Sequence, residues 1–102
     1  MNINQTDSPQ VQALKERYKA SFPEKVEIIR EQIELVYAAS ASAESIEDAN
    51  QVLHKLAGSS GMYGYDDINV LCRAAMSSLG SKNADESVDV LQQVIELLEQ
   101  YC

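Results

Sequence analysis

The chain is short of basic residues, and this shortage narrows the partners that it could bind. Eight lysines and arginines stand against 16 aspartates and glutamates among 102 residues, which gives a net charge of -8. Nucleic acids and anionic membrane surfaces are bound through basic patches, so this charge argues against both as partners. Apolar runs are also short, and none approaches the roughly 20 residues that a membrane-spanning helix needs. The polar N-terminus MNINQTDSPQ does not resemble a signal peptide.

Histidine and cysteine are scarce as well. The chain has one histidine, His54, and two cysteines, Cys72 and Cys102. No second histidine or cysteine lies one helical turn after His54, so the spacing predicts no metal site. Two cysteines do not make a disulfide framework, and Cys72 falls on the apolar side of a helical pattern, where we expect it to be buried. The chain has no glycine-rich nucleotide loop, so we expect no kinase activity, and we also expect no cofactor. It has no export signal, so we expect a cytoplasmic location.

No segment alternates polar and apolar residues with a period of two, and apolar residues instead recur at helical spacing. Pro9 opens a short first segment, and four longer segments follow. Ser21, Ser42 and Asn83 are the predicted N-caps of three of them, and Ser21 and Asn83 each have a glutamate three residues on. Short connections favour antiparallel neighbours. We therefore predict an all-α fold, an antiparallel up-down-up-down four-helix bundle with a short extra N-terminal helix.

The same pattern predicts the domain boundaries and the core. Residues 1–8 are predicted to be a flexible N-terminus, and residues 9–102 are predicted to form the bundle domain. In the segment that begins after Ser21, the residues predicted to face inward are Val26, Ile29, Ile33, Val36 and Tyr37. In the segment that contains His54, they are Ile46, Ala49, Leu53, Leu56 and Ser60.

His54 lies about a third of a turn from that predicted core, because each helical residue advances about 100°. Gly58 and Gly61 follow one and two turns later on the same face, although a glycine costs about 1 kcal/mol relative to alanine inside a helix. Without a Cβ atom at these positions, another protein can come close to the imidazole. Gly64 falls on the core side, and we expect it to permit a tight turn into the next helix. The other predicted members of the docking surface are Glu47, Asn50, Gln51 and Lys55.

Plainer interpretations of these residues stay open. A single histidine at a helix edge is usually an inert surface residue, and glycines late in a helix often only prepare its end. A serine–histidine catalytic arrangement is not favoured, because Ser59 and Ser60 do not share the face of His54. A neutral imidazole is, however, a good nucleophile near neutral pH. It can accept and release a phosphoryl group if a partner protein supplies the positioning and the charge.

The stretch HKLAGSSGMYG, which begins at His54, resembles the signature of the histidine-containing phosphotransfer (Hpt) domains of multistep two-component relays. His54, Leu56, Gly58 and Gly64 match that pattern, and the resemblance covers most of the chain from about residue 20. It implies a four-helix bundle with the phosphorylated histidine in the middle of a helix. One departure is Ala57, where the family often has a lysine or arginine that is thought to help hold the phosphoryl group.

The resemblance implies that the protein is a phosphorelay intermediate. His54 would take a phosphoryl group on Nε2 from an aspartate of one receiver domain and pass it to an aspartate of another. The expected partners are response-regulator receiver domains and a hybrid sensor kinase. The Mg²⁺ ion is expected on the receiver, and the protein itself is expected to be a monomer. The alternative is a non-catalytic helical interaction module that docks a receiver without phosphotransfer, and Ala57 slightly favours it.

Overall fold

The computed structural model describes residues 8–102, and these residues form α-helices with no strand among them. Connections of two to four residues separate the helices. The predicted flexible N-terminus, residues 1–8, lies outside the described residues except for Ser8, the N-cap of the first helix. The helices are α1 (Pro9–Lys19), α2 (Phe22–Ala38), α3 (Ala43–Met62), α4 (Asp66–Leu79) and α5 (Ala84–Tyr101).

Helices α2 to α5 enclose one hydrophobic core, while α1 adds no fully buried residue to it. The main contacts form a closed ring, in which α2 and α4 each pack against both α3 and α5. The all-helical bundle that the periodicity predicts is thus confirmed. The largest fully buried side chains are Phe22, Ile29, Leu53, Ile68, Leu79, Leu91, Ile95 and Leu98.

One member of the predicted core is misplaced. Val26, Ile29 and Val36 are buried on α2 as predicted, but the side chain of Tyr37 is 69% exposed. Tyr37 is the last residue but one of α2, and at this end of the helix Val36 takes the inward position instead. The prediction for Tyr37 was wrong because helical periodicity does not show where the neighbouring helices stop covering a face.

Two of the three predicted N-caps are confirmed. The side-chain oxygens of Ser42 and Asn83 each accept a hydrogen bond from the backbone N–H three residues on, at 3.2 and 2.9 Å. Ser21 does not cap α2, and its backbone keeps helical angles (φ -87°, ψ -3°). Its hydroxyl instead donates to the carbonyl of Tyr18 at 2.6 Å. The chain turns from α1 into α2 without the extended residue that a side-chain cap requires.

A cluster of aromatic rings fastens α1 to one end of the bundle. The ring of Tyr18 stacks on that of Tyr63, with centroids 4.6 Å apart, and its hydroxyl shares a hydrogen bond with Ser59 of α3. At the other side of the cluster, the Tyr101 hydroxyl donates to Asp67 at 2.7 Å. This bond to a carboxylate raises the pKa of Tyr101 to about 12. The rings of the cluster belong to Tyr18, Phe22, Tyr63, Tyr65 and Tyr101.

Both cysteines are free thiols. Cys72 is fully buried on α4, as its place in the apolar stripe predicts, and burial raises the pKa of its thiol to about 12. It therefore serves as a small core residue. Among the described helices, none combines the length and the apolar composition needed to cross a membrane.

Candidate functional site

The rotation of α3 places the imidazole of His54 in solvent. Leu53, the residue before it, is 0% exposed and fixes which side of the helix faces the core. Ile46 and Leu56 are buried on that same side. One residue further along, His54 is turned about 100° away and is exposed, as the helical wheel predicts.

Around His54, the exposed surface of α3 is polar apart from Gly58. Glu47, Gln51 and Gly58 are exposed, and Asn50 is half-buried; together with His54 they form what we call the His54 face. The only side-chain hydrogen bond within the face joins Gln51 Nε2 to Glu47 Oε2 at 3.4 Å, among the bonds of the described residues. Nothing in the described chain therefore locks the imidazole, which is free to meet a partner.

The two glycines that follow His54 have different surroundings. A Cβ atom built on Gly58 would meet nothing within 4 Å, so the space one turn beyond the imidazole is open. A Cβ atom on Gly61 would lie 3.1 Å from the side-chain nitrogen of Asn69 on α4. Gly61 is exposed, but the space left by its missing Cβ is used by Asn69 of the same chain. The helical wheel predicted instead that this space would admit another protein. Gly64 lies in the turn between α3 and α4 with φ +85°, a conformation that favours glycine.

A groove of about 260 Å³ runs between α2 and α3, on the side of α3 that carries Lys55. Its walls are mostly apolar, with Ile28 partly exposed, and two lysines stand at its rim. Lys25 lies over the ring of Tyr18, 5.1 Å from its centroid. Neither lysine is paired with a described carboxylate. The residues that line the groove are Lys25, Ile28, Ile29, Val52, Lys55, Leu56 and Ser59.

A comparison with models of protein families matches this chain to the Hpt domain over residues 13–102. The chain belongs to the Hpt domain family. A search of curated proteins and a search of solved structures each found no match. The family assignment therefore comes from the family model, and it agrees with the all-helical fold and with the motif around His54.

The structure accounts for the departure of this Hpt domain at position 57. Ala57 is 0% exposed, and its backbone is in contact with α4. The side-chain amide of Asn69 donates to the carbonyl of Ala57 at 2.6 Å. The longer side chain of a lysine or arginine would not fit here without a shift of its neighbours, because Ala57 already has no exposed surface. Packing thus explains a small residue here, and it leaves the position without a cation.

The described residues contain no group of three histidine, cysteine, aspartate or glutamate side chains that could hold a metal ion. Sequence reasoning missed two parts of this surface, Lys25 and Asn69. Both belong to other helices than His54, and no spacing along the chain connects them with it. Only the packing of α2 and α4 against α3 brings them there.

The surroundings of the two glycines predict opposite responses to alanine. Gly58→Ala is expected to raise the free energy of unfolding by up to about 1 kcal/mol, because the added methyl meets open space and favours the helix. Gly61→Ala is expected to gain less or to lose stability, since its Cβ crowds Asn69. Urea unfolding followed by circular dichroism measures both. As a control, Gly61→Ala in an Asn69→Ala background should recover the gain; equal gains for both glycines in the parent chain would contradict the assignment.

Proposed function

We propose that this Hpt domain is a phosphorelay intermediate, in which His54 accepts a phosphoryl group from a receiver aspartate and passes it to a second receiver. The observation that carries the proposal is the exposed, unobstructed imidazole of His54 on α3, with open space over Gly58 one turn further on. An imidazole so placed can be reached by one partner after another. The family provides the reaction class, since Hpt domains are phosphocarriers.

The chemistry needs few groups from this chain. The lone pair of the neutral imidazole attacks phosphorus, the N–P bond forms, and the bond from phosphorus to the aspartate oxygen breaks. The donor recovers its carboxylate, and the second transfer reverses the exchange on another receiver. Phosphoryl transfer depends mainly on positioning and on neutralising charge, both of which the receiver and its Mg²⁺ ion would supply. The domain itself would present the ring and need no kinase activity or cofactor.

We infer that the four helices α2 to α5 run up-down-up-down. His54, in the middle of α3, then lies on the side of the bundle and away from both of its ends. The start of α2 meets the end of α5, where the rings of Phe22 and Tyr101 have centroids 5.8 Å apart. The end of α5 in turn meets the start of α4 through the hydrogen bond of Tyr101 to Asp67. Late residues of α3 meet early residues of α4 through Asn69 and Ala57. Each of these contacts joins opposite ends of neighbouring helices, as antiparallel packing requires.

The docking surface that we propose consists of the His54 face with Lys55 and Gly61 at its edges. Receiver active sites in this family present clustered carboxylates, so an acidic chain needs cations beside its histidine. Lys55, on the rim of the α2–α3 groove, offers one next to His54. Response-regulator receivers and a hybrid sensor kinase are the proposed partners of a cytoplasmic, monomeric domain.

The proposal is tested by His54→Gln. Glutamine has no nucleophilic nitrogen, so the variant should accept no phosphoryl group from a radiolabelled receiver and should melt at nearly the same temperature, because His54 is exposed. If the wild-type chain becomes radiolabelled and the His54→Gln variant does not, the result supports phosphoryl transfer to His54. Binding of the receiver without labelling of the wild-type chain would favour the alternative, a docking module without phosphotransfer. Normal labelling of the variant would show that another residue is the acceptor.

A second prediction concerns the rim charge. Lys55→Glu is expected to slow transfer severalfold at low salt and much less at high salt, because exposed charges act mainly on association and are screened by ions. The matched control is Lys82→Glu, which makes the same charge change beyond the end of α4. Transfer rates are compared at two ionic strengths. If both variants slow transfer equally, net charge rather than Lys55 governs the encounter.

A further inference from the structure

A phosphoryl group on His54 brings about two negative charges to a chain whose net charge is already -8. Glu47 lies on the same face and adds to the repulsion. Position 57 supplies no cation, because it holds a fully buried alanine. A cation from elsewhere in the chain is therefore needed if the domain itself is to hold the loaded group.

The chain has eight lysines and arginines, all within the described residues. Four of them are engaged elsewhere: Lys19 and Arg30 pair with carboxylates, and Lys15 and Lys25 lie over tyrosine rings. Of the other four, Arg17 belongs to α1, and Lys82 lies beyond the end of α4. The two that remain near α3 are Lys55, next to His54 in sequence, and Arg73 of α4.

The contact of Asn69 with α3 gives the position of Arg73. Asn69 touches α3 at Ala57 and Gly61, on the side of the helix that borders the His54 face. Four residues along α4 is about one turn, or about 6 Å, and keeps nearly the same face. Because α3 and α4 are joined by the short turn 63–65 and run in opposite directions, that step leads back along α3 to the level of His54. Arg73 is exposed there, and it pairs with no described carboxylate.

The two cations therefore flank His54 differently. Lys55 points about 100° round α3 toward the α2–α3 groove, where a partner would meet it. Arg73 belongs to α4, which packs on the other flank of α3, where Asn69 donates to the backbone carbonyl of Ala57. A guanidinium can donate two parallel hydrogen bonds to phosphoryl oxygens, which an ammonium cannot do in the same plane. We propose that Arg73 binds the phosphoryl group of phosphorylated His54 and takes the role of a cation that position 57 lacks; this inference rests on the proposed function.

Phosphoramidate, a small donor, tests this without any docking partner. Its P–N bond breaks and ammonia leaves as the bond between His54 Nε2 and phosphorus forms. Arg73→Gln should lower the rate of phosphohistidine formation by about tenfold, the loss expected for a charge-assisted hydrogen bond. Arg73→Lys should recover part of the rate, and Lys82→Gln should leave it unchanged. A thermal melt of each variant excludes a loss of folding.

A second readout does not depend on rates. In the wild-type chain, the Nε–H resonance of Arg73 should shift when His54 is phosphorylated, while that of Arg17, an exposed arginine on α1, should stay in place. An unmoved Arg73 signal, or equal rates for Arg73→Gln and Lys82→Gln, would overturn this inference and leave the proposed function standing. If the wild-type chain forms no phosphohistidine with phosphoramidate or with a phosphorylated receiver, the proposed function fails and the role of Arg73 falls with it.

Discussion

The burial of one apolar stripe on α3 fixes the rotation of that helix, and the rest of the site depends on this rotation. Leu53, Leu56 and Ser60 are buried in the interior formed by the four main helices, and their packing there fixes the rotation of α3 about its axis. Since each residue advances about 100°, burying Leu53 puts His54 at the edge of the helix and in solvent. The imidazole needs no specific contact of its own to be presented. Core packing does the positioning, and the surface is left free for chemistry.

The two flanks of α3 differ in a way that suits two tasks. Toward α2 lies an apolar groove with Lys25 and Lys55 at its rim, an arrangement suited to meeting another protein. Toward α4 the surface is occupied by Asn69, which donates to the backbone carbonyl of Ala57 and packs into the space that Gly61 leaves. Because the chain is acidic overall, the few cations near His54 are the groups that can offset the negative charge of a phosphoryl group or of a partner's carboxylates. We therefore propose that partner encounter and retention of the phosphoryl group use different sides of α3.

The sequence predicts the helices, the core of α3 and the exposure of His54, because each depends on local periodicity. Features that depend on neighbouring helices could not be predicted in this way. Tyr37 fits the apolar stripe of α2 but is exposed at the end of that helix. Ser21 has the right residue type for a cap, yet the chain between α1 and α2 stays helical. The packing of Asn69 against Gly61 and the clustering of five aromatic rings depend on tertiary contacts that leave no spacing signal.

The central claim is that this Hpt domain carries a phosphoryl group on His54, and the most direct measurement is to locate that group chemically. The wild-type chain is mixed with a phosphorylated receiver, and the product is analysed by ³¹P NMR and by peptide mass mapping. The account predicts one phosphoramidate signal, a modified peptide that contains His54, and loss of both when an unphosphorylated receiver is added. A phosphate ester on Ser59, or a phosphohistidine that no receiver can discharge, would contradict it.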